Sequence, residues 1–185
     1  MKEQRQEKQT QAYKLSSSSL KKYVKLYDLD KYLFKVVGPK ARKRGYLTFN
    51  EFYNICMWKS VRPKKKYLQN KGNIKKISKM AFSEKDELKK INTLCNLKGV
   101  GISTGSAILS VVYPTKYPVI DIRCLSQLYH LEISKFKNVS EKTWLNYLKI
   151  MRKEARRLRT TPRKLDMALF AMHKERLDNK GLNLY

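Results

Sequence analysis

Between Leu20 and Met172 the apolar residues return every three or four positions and hardly ever alternate. Such spacing builds one face of a helix rather than one face of a strand. The clearest run is Trp144, Leu148, Met151, Ala155 and Leu158, at steps of four, three, four and three. It predicts a helix with one buried stripe, whose other sides carry Lys149, Arg152, Lys153, Arg156, Arg157 and Arg159. Ile108 to Val112 is strand-like by propensity, but Gly101 before it and Pro114 after it leave room for one element only. Every other segment is helical in period, so the expected fold is all-α and compact.

Local signals place the elements. Leu20, Tyr23, Val24, Tyr27, Leu33, Phe34 and Val37 form a first helical stretch that Gly38-Pro39 should stop. Thr48 followed by Glu51 predicts a capping box for a second helix presenting Phe52, Ile55, Cys56 and Trp58, ended by Pro63. Ser83 opens a third through Leu88, Ile91 and Cys95, and Pro162 starts the last, with Leu165, Leu169 and Met172 inward. Residues 1–19 have almost nothing to bury and read as a flexible polar tail. Residues 20–178 form one domain and 179–185 a short tail.

Lys and Arg number 42 against 15 Asp and Glu, a net charge of +27 on 185 residues. That excess says little about fold and much about partners, because a self-repelling surface is best tolerated beside a polyanion such as nucleic acid. Little of the charge lies in the tail, where Glu3 and Glu7 offset Lys2, Arg5, Lys8 and Lys14. A dense part falls on Lys64, Lys65, Lys66, Lys71, Lys75, Lys76 and Lys79, either a solvated face or a phosphate-contacting one. No apolar run approaches the roughly 18 residues of a spanning helix, and the charged, polar start does not resemble a secretory signal. The expectation is a cytoplasmic, nucleoid-associated monomer that does not enter the membrane. Cys56, Cys95 and Cys124 are too few and too scattered for a disulfide framework or a four-thiolate cluster. They read as small buried hydrophobes, and neither metal nor cofactor is expected.

The most informative segment is Leu97-Lys98-Gly99-Val100-Gly101-Ile102-Ser103-Thr104-Gly105, two helices joined by a tight turn with glycines one residue apart. Positive φ and close backbone approach explain glycine in such a turn. Its amides and the start of the second helix make a seat for a phosphate. A dinucleotide fingerprint would need a strand before the first glycine, and a P-loop would need Gly-Lys-Ser/Thr; neither is present. A plain helix-turn-helix with a glycine cap remains an alternative.

The hairpin (97–109), the loop Tyr113-Pro114-Thr115-Lys116-Tyr117-Pro118 and Asp121 in Val119-Ile120-Asp121-Ile122-Arg123 resemble the helix-hairpin-helix DNA glycosylase superfamily. Its members carry a Gly/Pro-rich loop and a catalytic aspartate about twenty residues after the second hairpin glycine, where Asp121 stands relative to Gly101. The run Gly101 to Ser110 is similar to the adenine and endonuclease III-like branches. Gly45-Tyr46-Leu47-Thr48 through Trp58-Lys59-Ser60, and Leu165 to Phe170, are similar to small bacterial proteins that carry the same core. The resemblance implies a base-excision glycosylase fold, double-stranded DNA with an extruded base as partner, and Asp121 as catalytic residue. Lyase-competent members have a lysine where this chain has Ser103. That implies a monofunctional enzyme, with Schiff-base chemistry requiring another amine such as Lys59 or Lys98. No four-cysteine iron–sulfur set follows Cys124.

Breaking an N-glycosidic bond leaves positive charge on the sugar, which an ionised carboxylate can stabilise while orienting water. Asp121 is the candidate, with capping of a helix from Ile122 as the alternative. A flipped base needs apolar or aromatic walls; Trp58, Lys59, Tyr46 and Phe82 are the pocket candidates, although aromatics at helical spacing usually serve the core. Lys98, Gly99, Val100, Gly101, Ser103 and Thr104 are expected to hold the DNA backbone, and Arg123 either orients Asp121 or touches phosphate. The competing function is a non-catalytic helix-hairpin-helix protein that clamps DNA or RNA.

Overall fold

The computed structural model describes residues 15–131, 133–136 and 138–179. Among them are ten α-helices and no strand: α1 (Ser17–Leu26), α2 (Gly38–Arg44), α3 (Phe49–Lys59), α4 (Lys64–Leu68), α5 (Ile74–Ser83), α6 (Glu87–Cys95), α7 (Ile102–Val112), α8 (Ile122–Tyr129), α9 (Glu141–Arg157) and α10 (Pro162–Asp178). The all-α expectation therefore holds. No helix of the described residues is long and apolar enough to cross a membrane.

Helix α7 is the hub. Every residue from Thr104 to Val112 is buried, and α2, α3 and α6 pack around it. Its β-branched run is helical because all of its sides meet protein, so burial overrides strand propensity. The stripe on α9 is also observed, with Trp144, Leu148, Met151 and Ala155 each at most 3% exposed. Removing side chains the size of Leu148 and Met151 from water contributes on the order of 2 kcal/mol apiece. Helix α10 packs on α1, α8 and α9 and closes the far side of the bundle.

Local chemistry explains most boundaries. The Thr48 hydroxyl accepts from the Glu51 amide while the Glu51 carboxylate accepts from the Thr48 amide, the expected box at the start of α3. Thr161 caps α10, where Pro162 occupies the first turn. Three boundaries differ. Gly38-Pro39 does not stop a helix: a π-helical turn over Leu33–Val37 leads straight into α2, and the Gly38 amide reaches back to Leu33 O. The widened turn absorbs the donor that Pro39 lacks, and it lays Gly38 so close to α7 that a Cβ there would sit 2.1 Å from Val111 O. Ser83 ends α5 rather than opening α6; Asp86 is the cap, accepting from the Lys89 amide. The tail expected over 1–19 ends earlier, because Ser16 caps α1 and Leu15 is only 4% exposed. Arg157 also donates to the Leu15 carbonyl. Residues 1–14 and 180–185 of the two expected tails lie outside the described residues.

Candidate active site

The turn between α6 and α7 separates two glycines that look equivalent in the sequence. Gly99 has φ +83°, and a Cβ on it would lie 2.9 Å from Lys66 Cβ and 3.1 Å from both Pro63 Cβ and Tyr67 Cδ1. Conformation and space both demand glycine there. Gly101 is extended (φ −102°) and exposed, with nothing within 4 Å of where a Cβ would be. The positive φ expected of the turn therefore belongs to Gly99 alone. Beyond Gly101, α7 starts without a side-chain cap, so no neighbouring hydroxyl or carboxylate occupies its first amides.

A residue that the sequence reading missed fixes this turn. Asn70, 2% exposed, accepts from the Lys98 amide at 2.8 Å and donates to the Lys98 carbonyl at 2.9 Å. Asn70 and the Lys66 and Pro63 contacts at Gly99 dock the start of the basic segment against the hairpin. Lys64, Lys65, Lys66, Lys71, Lys75, Lys76 and Lys79 are all exposed, and none enters an ion pair among the described residues.

Asp121 stands where the loop after α7 becomes α8, and buried polar groups hold that loop in place. Ser106 accepts from the Ile120 amide at 3.0 Å, Asp166 accepts from the Val119 amide at 2.7 Å, and the Tyr147 hydroxyl donates to Val119 O at 3.1 Å. Asp166 is itself ion-paired with Arg163 in the interior. Arg163 lies against the rings of Tyr27, Phe34 and Trp58 and donates to the Tyr27 hydroxyl. None of Asn70, Arg163 or Asp166 stands out from neighbours by residue type or spacing.

The Asp121 carboxylate has two engagements. Oδ1 accepts from the Arg123 amide at 2.9 Å and so caps α8, while Oδ2 accepts from Lys59 Nζ at 2.6 Å. The two side chains are 17% and 12% exposed. Burial pushes the carboxyl pKa up, but the Lys59 charge and hydrogen bond, the Arg123 amide and the Arg123 charge outweigh it and hold it below the ordinary aspartate value. Asp121 is therefore ionised at neutral pH.

This pair opens on a cleft of about 830 Å³ whose walls include Tyr27, Met57, Trp58, Val61 and Phe170. Ser103, Arg62 and Arg123 also face it, and the Arg123 guanidinium lies 5.3 Å from the Phe170 ring. Cavities of this size hold small organic molecules with a few convergent polar groups. A carboxylate here can stabilise a developing cation and align water, and the aromatic walls can take a flat ring. No cluster of three or more His, Cys, Asp or Glu suited to a metal ion occurs among the described residues.

Of the expected pocket residues, Trp58 and Lys59 line the cleft. Tyr46 does not: its ring lies between Arg44 and Lys75 near the α2–α3 corner. Phe82 packs edge-on against Tyr113, 5.6 Å between centroids, also away from the cleft. Phe82 packs against the core, as aromatics at helical spacing usually do, whereas Tyr46 is held between two cations. In the hairpin, Lys98, Gly101 and Ser103 are at least partly accessible. Thr104 is 6% exposed and faces the interior, because the second turn of α7 is enclosed. Val100 is equally buried, and its amide donates to Leu97 O at 3.0 Å. These two residues, expected to hold the DNA backbone, shape the turn instead. No family model, curated protein or solved structure matches this chain.

Proposed function

We propose that the protein is a DNA base-excision glycosylase that hydrolyses the N-glycosidic bond of a base extruded into the cleft. The observation that carries this reading is an ionised, largely buried aspartate opening on a nucleotide-sized cavity with aromatic walls. Further support comes from the open Gly101 end of α7 and the basic segment docked against the same turn. The strand backbone would follow these groups while one nucleotide turns inward to stack against Trp58 or Phe170. As the base departs, positive charge on the sugar is stabilised by Asp121 at close range in a water-poor site.

The reading is tested with duplexes carrying oxidised, alkylated, deaminated and hypermodified bases, scored for alkali-labile breaks. Asp121→Asn should lower release of the responsive base by about 10² to 10³-fold while DNA affinity changes little. Full activity in that variant removes the catalytic role. One observation favours the non-catalytic clamp: both Asp121 oxygens already have protein partners. A clamp predicts salt-sensitive binding and no abasic product on any duplex.

A further inference from the structure

We infer that the cleft selects extruded bases by charge, taking neutral, carbonyl-rich bases of the oxidised or deaminated kind and rejecting the positively charged bases that ring-nitrogen alkylation produces. The inference rests on the excision reading and names the substrate class of that same site. A flat cation is held by the electron-rich faces of aromatic rings, or by a carboxylate that has no other partner. Both devices are already engaged here. Of the rings lining the cleft, Tyr27 and Trp58 face the Arg163 guanidinium at 4.9 and 5.6 Å, and Phe170 faces that of Arg123 at 5.3 Å. A ring with a cation over one face offers a weaker negative potential on the other, and the guanidinium adds its own repulsion. Of the two carboxylates in the lining, Asp121 is paired with Lys59 at 2.6 Å and Asp166 with Arg163 in the interior. Arg62 adds an exposed positive group to the same wall and enters no ion pair among the described residues. Guanidinium groups donate hydrogen bonds and accept none, so what they offer an incoming base suits its carbonyl oxygens.

The chemistry of departure points the same way. When a neutral base leaves, the C1′–N bond breaks and its electron pair goes to the base, whose ring carbonyls share the charge. Nearby guanidinium groups stabilise that anion as it forms. Water supplies a hydroxyl to C1′ and its remaining proton ends on the departed base, so the step balances. A base that enters as a cation leaves uncharged, and the same groups oppose its entry without assisting its exit.

Binding tests this without relying on turnover. Two duplexes differ at one position, with 7-methylguanine in one and 7-deaza-7-methylguanine in the other, the same outline with and without the positive charge. A 2′-fluorine on that nucleotide keeps the glycosidic bond intact in both. The full chain should bind the uncharged form at least about tenfold more tightly at one fixed salt concentration. Arg123→Gln, which uncovers the Phe170 ring, should narrow that ratio at least about threefold. Lys142→Gln, on an exposed part of α9 outside the cleft, should leave it unchanged. Equal affinities, tighter binding of the cation, or a ratio that Arg123→Gln leaves in place or Lys142→Gln narrows as much overturns the inference. Base release in the duplex screen together with equal affinities sinks charge selection alone; a charge-dependent ratio without release from any duplex sinks only the excision reading.

Discussion

The sharpest test separates the two glycines of the hairpin, Gly99→Ala and Gly101→Ala. At Gly99 an alanine must adopt φ +83°, a left-handed conformation costing about 1–2 kcal/mol. Its Cβ must also fit 2.9 to 3.1 Å from Lys66, Pro63 and Tyr67, and overpacking of this kind costs about 1–3 kcal/mol. The Lys66 contact is at its backbone-anchored Cβ, so it yields no more readily than Pro63 or the fully buried Tyr67 ring. The expected loss is therefore about 2–5 kcal/mol, seen as a lower midpoint in urea with an unchanged slope. At Gly101 neither term applies: φ is −102° and nothing lies within 4 Å of the new methyl. Stability should stay within about 0.5 kcal/mol of wild type or rise, since alanine restricts the unfolded chain. In the proposed complex, however, the methyl stands where a DNA phosphate approaches the start of α7. Losing one charge-assisted hydrogen bond of about 1.5–3 kcal/mol weakens binding by roughly 10 to 100-fold. Denaturation and duplex-binding titrations at one fixed salt concentration read both effects. If Gly101→Ala keeps full affinity, the phosphate seat is refuted; if it unfolds the protein as Gly99→Ala does, the account of the turn is wrong.

Lys59→Met removes the cation beside Asp121 and leaves a mostly buried carboxylate with only the Arg123 amide and charge, which should cost about 2–4 kcal/mol at pH 7. Because the wild-type Asp121 pKa is depressed, the stability from the pair is present above the unfolded aspartate value and is lost as pH falls through the folded one. The difference between wild type and Lys59→Met, followed by denaturation from pH 7 to pH 3, should therefore shrink on acidification; a constant difference contradicts the ion-pair assignment. Asn70→Ala deletes both hydrogen bonds to Lys98 and should cost about 1–3 kcal/mol. It should also raise amide exchange at Lys98, and unchanged exchange there would dismiss Asn70 as the clip.

Local chemistry was readable in the sequence and tertiary chemistry was not. The α9 stripe, the Thr48–Glu51 box and Pro162 at the start of α10 depend on residues within a turn or two of each other, so periodicity reveals them. Gly38-Pro39 misled because a π turn, favoured by packing on α7, can carry a proline onward. Helix α5 was hidden in a lysine run, since its buried side consists of Ile74, Ser78 and Ala81 and only one of these is strongly apolar. At the site, Asp121 is singled out by the resemblance to the glycosylase superfamily, whose aspartate follows the hairpin at such a separation. Lys59 was named, but its partner lies 62 positions away, and nothing in residue type announces that pairing. Asn70, Arg163 and Asp166 stayed hidden for a related reason: a polar residue becomes structural only when the fold buries it against a backbone group elsewhere.

The moorings of the loop at Val119 and Ile120 separate what can vary from what cannot. Ser106, Tyr147 and Asp166 anchor that loop from α7, α9 and α10, while Met57, Val61 and Phe170 contribute apolar surface to the chamber. Exchanging one of these three for a larger or smaller neighbour changes the outline offered to an incoming ring and leaves the anchors intact. Under the proposed excision function, selectivity and chemistry can thus diverge separately in descendants of this chain, a new preference arising from one wall substitution with the acid still held in register.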